Sequence, residues 1–145
     1  GEVIMPSTNS DVSWKLGGGG FISSIGDLTR FAQGLLDPAF ITPPMRALLW
    51  TPQTTTSGND TGYGLGFGIK TVENDRLLVQ HSGAQEKTRT LLLLFPDDGV
   101  AVALMTNSEY VTLRPIANTI KNKLFHEEPA VLPPKIDLHH SGASL

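Results

Sequence analysis

Two uninterrupted apolar runs, separated by a short turn, constrain the fold of this chain more than any other feature. The runs are residues 91–95 and 100–105, and Pro-Asp-Asp-Gly at 96–99 lies between them. That turn sequence is typical of a hairpin, with Gly99 where a positive φ is required. Neither run alternates apolar and polar residues, so we expect both strands to be central, with helices covering both faces. A connection this short makes the pair antiparallel.

Helical periodicity appears on both sides of these strands. Ser24 is a candidate N-cap with Asp27 three residues later, and the helix is expected to end at Asp37-Pro38. Its apolar stripe consists of Ile25, Leu28, Phe31, Ala32 and Leu35. A second helix is predicted from Thr42, with Pro43 in its first position. We expect it to turn three side chains inward, Met45, Leu48 and Leu49.

A third helix is predicted from residue 113 to about residue 126. Its stripe consists of Leu113, Ile116, Ala117, Ile120 and Leu124. A turn is predicted at 73–75, followed by one strand at 76–80 and another at 88–95. The order of helix, helix, three or four antiparallel strands and helix defines an α+β fold, with an antiparallel sheet flanked by helices.

Residues 63–69 alternate large apolar residues with three glycines. At the two-residue period of a strand, one face would be aromatic and aliphatic while the other carries no side chains. Glycine weakens a strand, so the bare face needs a reason. We expect a helix or another backbone to pack closely against it.

The length of 145 residues suits one compact domain. Residues 1–16 are predicted to be irregular, 17–126 to form the domain, and 127–145 to be an extended, proline-containing tail. Four consecutive glycines at 17–20 fit either a linker or a place where backbone is closely approached. The first residue is Gly1, which fits a processed product or a fragment.

Composition excludes several kinds of site. The chain has no cysteine, which removes disulfides, thiolate metal sites and a cysteine nucleophile. A net charge of −3 argues against a nucleic-acid-binding protein. No apolar run is long enough to span a membrane. The four histidines are not spaced as a zinc set, so we expect no metal and no cofactor; they are His81, His126, His139 and His140.

Standard nucleophile motifs are also missing from the sequence. It contains no Ser-x-x-Lys and no Gly-x-Ser-x-Gly, and no phosphate loop follows the glycines. What remains is His81-Ser82-Gly83-Ala84, at the junction of two predicted strands. The Ser82 hydroxyl and the His81 ring can hold a substrate carboxylate or assist proton transfer. Taken alone, the same residues also fit a polar hairpin with a surface histidine.

Four motifs, taken in order, resemble the C-terminal half of serine β-lactamase-like proteins. They lie at residues 18–31, 63–68, 81–83 and 92–108, and the resemblance covers roughly residues 14–126. The family includes class C β-lactamases, D-alanyl-D-alanine carboxypeptidases, related esterases and a mitochondrial β-lactamase-like protein. The resemblance implies part of a β-lactamase/transpeptidase-like fold. In such enzymes a Ser-x-x-Lys serine forms an acyl-enzyme, Tyr-x-Asn helps move the proton, and a Lys/His-Ser/Thr-Gly box borders the cleft.

The third of these boxes is matched by His81-Ser82-Gly83. The resemblance implies catalytic roles for His81 and Ser82, and substrate binding by Ser82 and Gly83, where a missing side chain lets substrate lie against the strand. The backbone N–H of Ala84 would be the second oxyanion donor. Two features depart from the family pattern. The first two boxes are absent, and residues 84–87 stand where glycines usually follow the third box.

These observations predict the C-terminal portion of a serine hydrolase that acts on a β-lactam, a D-Ala-D-Ala peptide or an ester. The isolated chain is expected to be inactive. One alternative is a catalytically silent binding or assembly module, and another is an unrelated α+β domain whose motifs match by chance. Expected partners are a small-molecule or peptide substrate, and either the missing N-terminal half or a second copy. The resemblance implies a bacterial periplasmic or extracellular location, with mitochondrial and cytoplasmic locations left open.

Overall fold

The computed structural model describes Asp11 and residues 13–125, which divide between two units, residues 1–111 and 112–145. The helices of the first unit are α1 (Leu16–Gly19), α2 (Ile25–Leu36) and α3 (Pro43–Trp50). Its strands are β1 (Gly68–Val72), β2 (Arg76–Gln85), β3 (Thr88–Phe95) and β4 (Val100–Thr106). The second unit contributes α4 (Leu113–Leu124). Most of the irregular segment predicted at 1–16, and the whole tail predicted at 127–145, lie outside the described residues.

The four strands form one antiparallel sheet in the order β1-β2-β3-β4. This confirms the α+β class and the predicted antiparallel pairing. The β3–β4 turn places Gly99 at φ 66°, as the Pro-Asp-Asp-Gly sequence predicts. A two-residue loop joins β2 to β3, with Gln85 opposite Thr88. Lys87 in that loop has a φ of 62°, which is the left-handed region.

Local signals set the boundaries of α2 and α3 as predicted. The Ser24 side chain accepts a hydrogen bond from the backbone N–H of Asp27 at 3.1 Å, so it is the N-cap of α2. Helix α3 follows Thr42 and has Pro43 in its first turn. The expected inward face of α3 is wrong for two residues, since Met45 and Leu48 are exposed.

The core of the first unit lies between these helices and one face of the sheet. Ala32 and Leu35 on α2, and Trp50 on α3, are buried in one cluster with sheet residues. The sheet contributes Val79, Leu92 and Leu94 to that cluster. Because residues spaced three and four apart share a helix face, Trp50 brings Arg46 inward with it, while Met45 and Leu48 face outward.

The two apolar runs differ in their surroundings. All five residues at 91–95 are buried, so β3 is covered on both faces, as its unbroken run predicts. The run at 100–105 was expected to be central too, and that expectation is wrong. In the described part of the chain, β4 pairs with β3 alone and lies at the sheet edge. An apolar run reports how the faces of a strand are covered, and it carries no information about a partner on the second edge.

The glycine-alternating segment is a loop over most of its length, and β1 begins only at Gly68. The predicted strand at 63–69 is therefore wrong, because Gly66 has a φ of 85° and the N–H of Gly64 bonds to Phe67 O at 2.8 Å, which turns the chain. The expected close backbone contact is present. A Cβ on Gly64 would overlap the carbonyl oxygen of Leu49 at the end of α3.

Candidate functional site

In the part of the chain that the structure describes, the second half of β2 has a neighbouring strand on one side only. Strand β1 pairs with β2 at residues 76–80, where Gly68 lies opposite Gln80. Strand β3 pairs along the other side at residues 79–85. Among the described residues no strand pairs with the β1 side of residues 81–85, and we call this stretch the open edge.

All the sequence-predicted site residues lie on the open edge. His81-Ser82-Gly83-Ala84 was expected at a junction between strands, whereas β2 continues to Gln85 and holds these residues inside a strand. Gly83 is half-buried, and the other three are exposed. Regular pairing with β3 therefore fixes their backbone.

The hairpin decides which way the backbone groups point. In a two-residue hairpin the carbonyl of the residue before the loop accepts from the N–H of the residue after it, here Gln85 and Thr88. Backbone groups of successive residues in a strand then alternate between its two sides. The N–H of Gly83 therefore faces β3, and those of Ser82 and Ala84 face the open edge.

The His81 and Ser82 side chains lie on opposite faces of the sheet. His81 shares its face with Val79 and hence with the core cluster, because side chains alternate along a strand. Neither side chain makes a hydrogen bond to the described part of the chain. Their exposed polar atoms can therefore meet a ligand, which reaches both residues by lying along the open edge.

The absence of a side chain at Gly83 has a packing reason as well as a proposed functional one. It pairs with Thr90 on β3, and a Cβ at this position would overlap Thr90 Oγ1. The Thr90 hydroxyl thus fills the space that the missing side chain leaves on the His81 face. Sequence reasoning did not identify Thr90, since its position depends on the β2–β3 register.

Two long-range hydrogen bonds fasten the glycine-rich segment to the far end of the open edge. Gln85 Nε2 donates to the carbonyl oxygen of Gly19 at 3.1 Å. Lys15 Nζ donates to Gln85 Oε1 at 2.5 Å across 70 residues of sequence. A Cβ on Gly19 would overlap Gln85 Nε2, so this glycine is closely approached, which is one of the two interpretations of the four glycines. No sequence signal identified Lys15.

No metal centre accompanies this geometry in the part of the chain that the structure describes. Residues 11 and 13–125 contain no group of three or more His, Cys, Asp or Glu placed to hold a metal ion. Three of the four histidines, His126, His139 and His140, lie outside those residues. None of the described helices has the length and apolar character needed to cross a membrane.

Comparison with known proteins gives two kinds of match. A family model described as Beta-lactamase matches residues 2–124. The curated relatives include the protein named serine beta-lactamase-like protein LACTB, mitochondrial, from Homo sapiens and Bos taurus, each 24% identical over 145 residues. These alignments cover 74% of this chain and 26% of each relative. The Mus musculus protein of the same name is 26% identical over 113 residues, covering 61% of this chain and 20% of that protein.

The chain thus spans about a quarter of the length of the human and bovine relatives that it matches. No solved structure gives a significant match.

Proposed function

The chain belongs to the beta-lactamase family, and from that premise we propose that it supplies the third active-site box of a serine hydrolase that works through an acyl-enzyme. The supporting observation is the open edge, where His81-Ser82-Gly83 lies beside an Ala84 N–H that faces away from β3. Family membership removes the alternative of an unrelated domain with chance motifs. No observation favours the silent binding module.

Each residue of the box has a role in this proposal. The nucleophilic serine, which belongs to a segment outside this chain, adds to the substrate carbonyl carbon. The N–H of Ala84 and the nucleophile's own N–H hold the resulting oxyanion. Ser82 binds a substrate carboxylate, and His81 assists transfer of the serine proton to the leaving group. Water then hydrolyses the acyl-enzyme and regenerates the serine.

The open edge also indicates how a substrate is held. It begins at His81, directly after the last residue that pairs with β1, and ends at Gln85, which is bonded to Gly19. Backbone groups of Ser82 and Ala84 face this interval, so a substrate with amide-like groups can bond to it as an additional strand segment. A β-lactam, a D-Ala-D-Ala peptide and an ester all remain within the proposal. Residues 17–126 would be the C-terminal part of the enzyme domain.

The rest of the enzyme is a partner of this chain in the proposal. Large exposed apolar side chains in the described residues, such as Phe21, Ile22 and Phe40, give that part a surface to cover. A second copy could cover the same surface in its absence. The matched relatives are named as mitochondrial proteins, which favours that location among those left open.

The test is the effect of Ser82→Ala on the complete hydrolase that contains this chain. Losing a hydrogen bond to a charged substrate group should lower kcat/KM about ten- to a hundredfold for carboxylate-bearing substrates, and less for neutral esters. Ser57→Ala is the matched control, because Ser57 lies in an exposed loop and bonds only to neighbouring residues. Equal kcat/KM for Ser82→Ala and the unmodified enzyme on both substrate types would contradict the proposal.

A further inference from the structure

Three buried donor nitrogens on α3 have no acceptor within the described chain. They are Nε and Nη2 of Arg46 and Nε1 of Trp50. The two side chains are one helical turn apart, and the Arg46 guanidinium carbon lies 5.8 Å from the centroid of the Trp50 ring. The unsatisfied donors therefore belong to one stacked pair of side chains.

Such a group is unusual in a folded protein. More than nine in ten buried polar groups have a hydrogen-bond partner, and a buried charge without one is disfavoured further. Stacking on an indole stabilises a guanidinium through its positive charge, but it satisfies no N–H. An acceptor from outside the described residues is therefore expected at this position.

The pattern of unsatisfied atoms identifies the chemistry of that acceptor. Nε–H and Nη2–H lie on one side of the planar guanidinium and point in parallel, which matches the two oxygens of a carboxylate. The buried positive charge also favours an anion over a neutral carbonyl. We propose that Arg46 and Trp50 form a carboxylate-binding site on the inward face of α3.

The Arg46–Trp50 pair lies on a definite side of the sheet. Trp50 belongs to the core cluster with Leu92, and Leu92 is the β3 partner of His81. The site therefore lies on the same side of the sheet as His81. Arg46 is only half-buried as a residue, so part of its side chain is open to solvent. The carboxylate is either a free small molecule or an acidic side chain of a second copy.

Trp50 gives the site its own spectroscopic signal. The chain has two tryptophans, and Trp14→Phe leaves Trp50 as the single indole. Sodium acetate is titrated into this variant against sodium chloride at equal ionic strength, with inorganic phosphate as a third arm. The Trp50 indole N–H resonance and the Tm are followed. We expect a saturable shift and a rise in Tm with acetate, because a ligand that binds only the folded state stabilises it.

Two variants separate a specific site from a general salt effect. Arg46→Met removes the charge and the paired N–H groups, and should abolish the acetate response. Arg46→Lys keeps the charge without the parallel pair, and should weaken acetate binding at least tenfold. If Arg46→Met does not fold, Arg46→Lys alone decides the comparison.

The dependence on protein concentration distinguishes the two sources of the carboxylate. A resonance shift that grows with protein concentration, together with a dimer in sedimentation that Arg46→Lys weakens, assigns it to a second copy. An acetate response at constant protein concentration assigns it to a free carboxylate. Equal responses to acetate and chloride with no concentration dependence would overturn the site, as would an acetate response retained in Arg46→Lys. No step measures hydrolysis, so failure here leaves the proposed hydrolase function standing.

Discussion

The two halves of β2 share a strand but have opposite surroundings. Residues 76–80 pair with β1, residues 79 and 80 pair with β3 as well, and Leu78, Val79 and Gln80 are buried. Among the described strands, residues 81–85 pair with β3 alone, and His81 and Ser82 are exposed. The first half fixes the strand in the core, and this holds the backbone of the second half in place without covering it. A binding edge can therefore be both rigid and accessible.

The largest expected difference between the halves comes from a buried charge. Val79 is fully buried, so Val79→Asp places an unpaired carboxylate in the core and should cost at least about 3 kcal/mol of unfolding free energy. Ser82→Asp, on the open edge, should change it by less than about 0.5 kcal/mol. Urea unfolding followed by circular dichroism measures both. Similar losses for the two variants would mean that the open edge is covered in solution.

A second comparison concerns Gly64 and Gly83, where an added side chain would meet different obstacles. A Cβ at Gly64 meets the backbone carbonyl of Leu49, which cannot rotate away, whereas one at Gly83 meets the movable Thr90 hydroxyl. We expect Gly64→Ala to cost roughly 1–3 kcal/mol, and Gly83→Ala to cost less than about 1 kcal/mol.

Thr90 provides the control for that comparison. Thr90→Val should leave the cost of Gly83→Ala unchanged or raise it, because a methyl group replaces the hydroxyl, whereas Thr90→Ala should remove the cost. A double-mutant cycle measures the coupling between the two positions. Additive effects of Gly83→Ala and Thr90→Ala would show that the overlap with Oγ1 does not determine the cost.

Features that depend on neighbouring residues were predictable from the sequence. The N-cap of α2, the Gly99 turn and the burial of β3 follow from local spacing and composition. The loop at 63–69 and the edge position of β4 were not predictable, because they depend on which distant backbone lies alongside. The site divides in the same way. His81, Ser82 and Gly83 were identified by resemblance, while the open edge depends on where β1 stops pairing, and Lys15 meets Gln85 only through the fold.

Gln85 marks the limit of the open edge, and its removal should loosen the glycine-rich segment. Gln85→Ala deletes the hydrogen bonds to Gly19 and Lys15, and the expected cost is about 1 kcal/mol. Amide hydrogen exchange should become faster at residues 16–20 and remain unchanged at residues 91–95. Gln33→Ala, on an exposed position of α2, is the matched control. Unchanged exchange at 16–20 would show that other contacts hold the segment beside the sheet.

The smallest expected effect concerns the loop that ends the open edge. Lys87 adopts a φ of 62°, a region that costs a residue with a Cβ roughly 1–2 kcal/mol and glycine little. Part of this stabilisation is lost, because glycine makes the unfolded chain more flexible. Lys87→Gly should therefore raise the unfolding free energy by about 0.5 kcal/mol, while Glu86→Gly, which has no positive φ to relieve, should lower it. Urea midpoints compare the two variants, and destabilisation by both would mean that the loop has a different backbone in solution. Because neither change touches residues 81–84, Lys87→Gly should also leave kcat/KM of the complete hydrolase unaltered, which separates the stability of the hairpin from the chemistry of the edge.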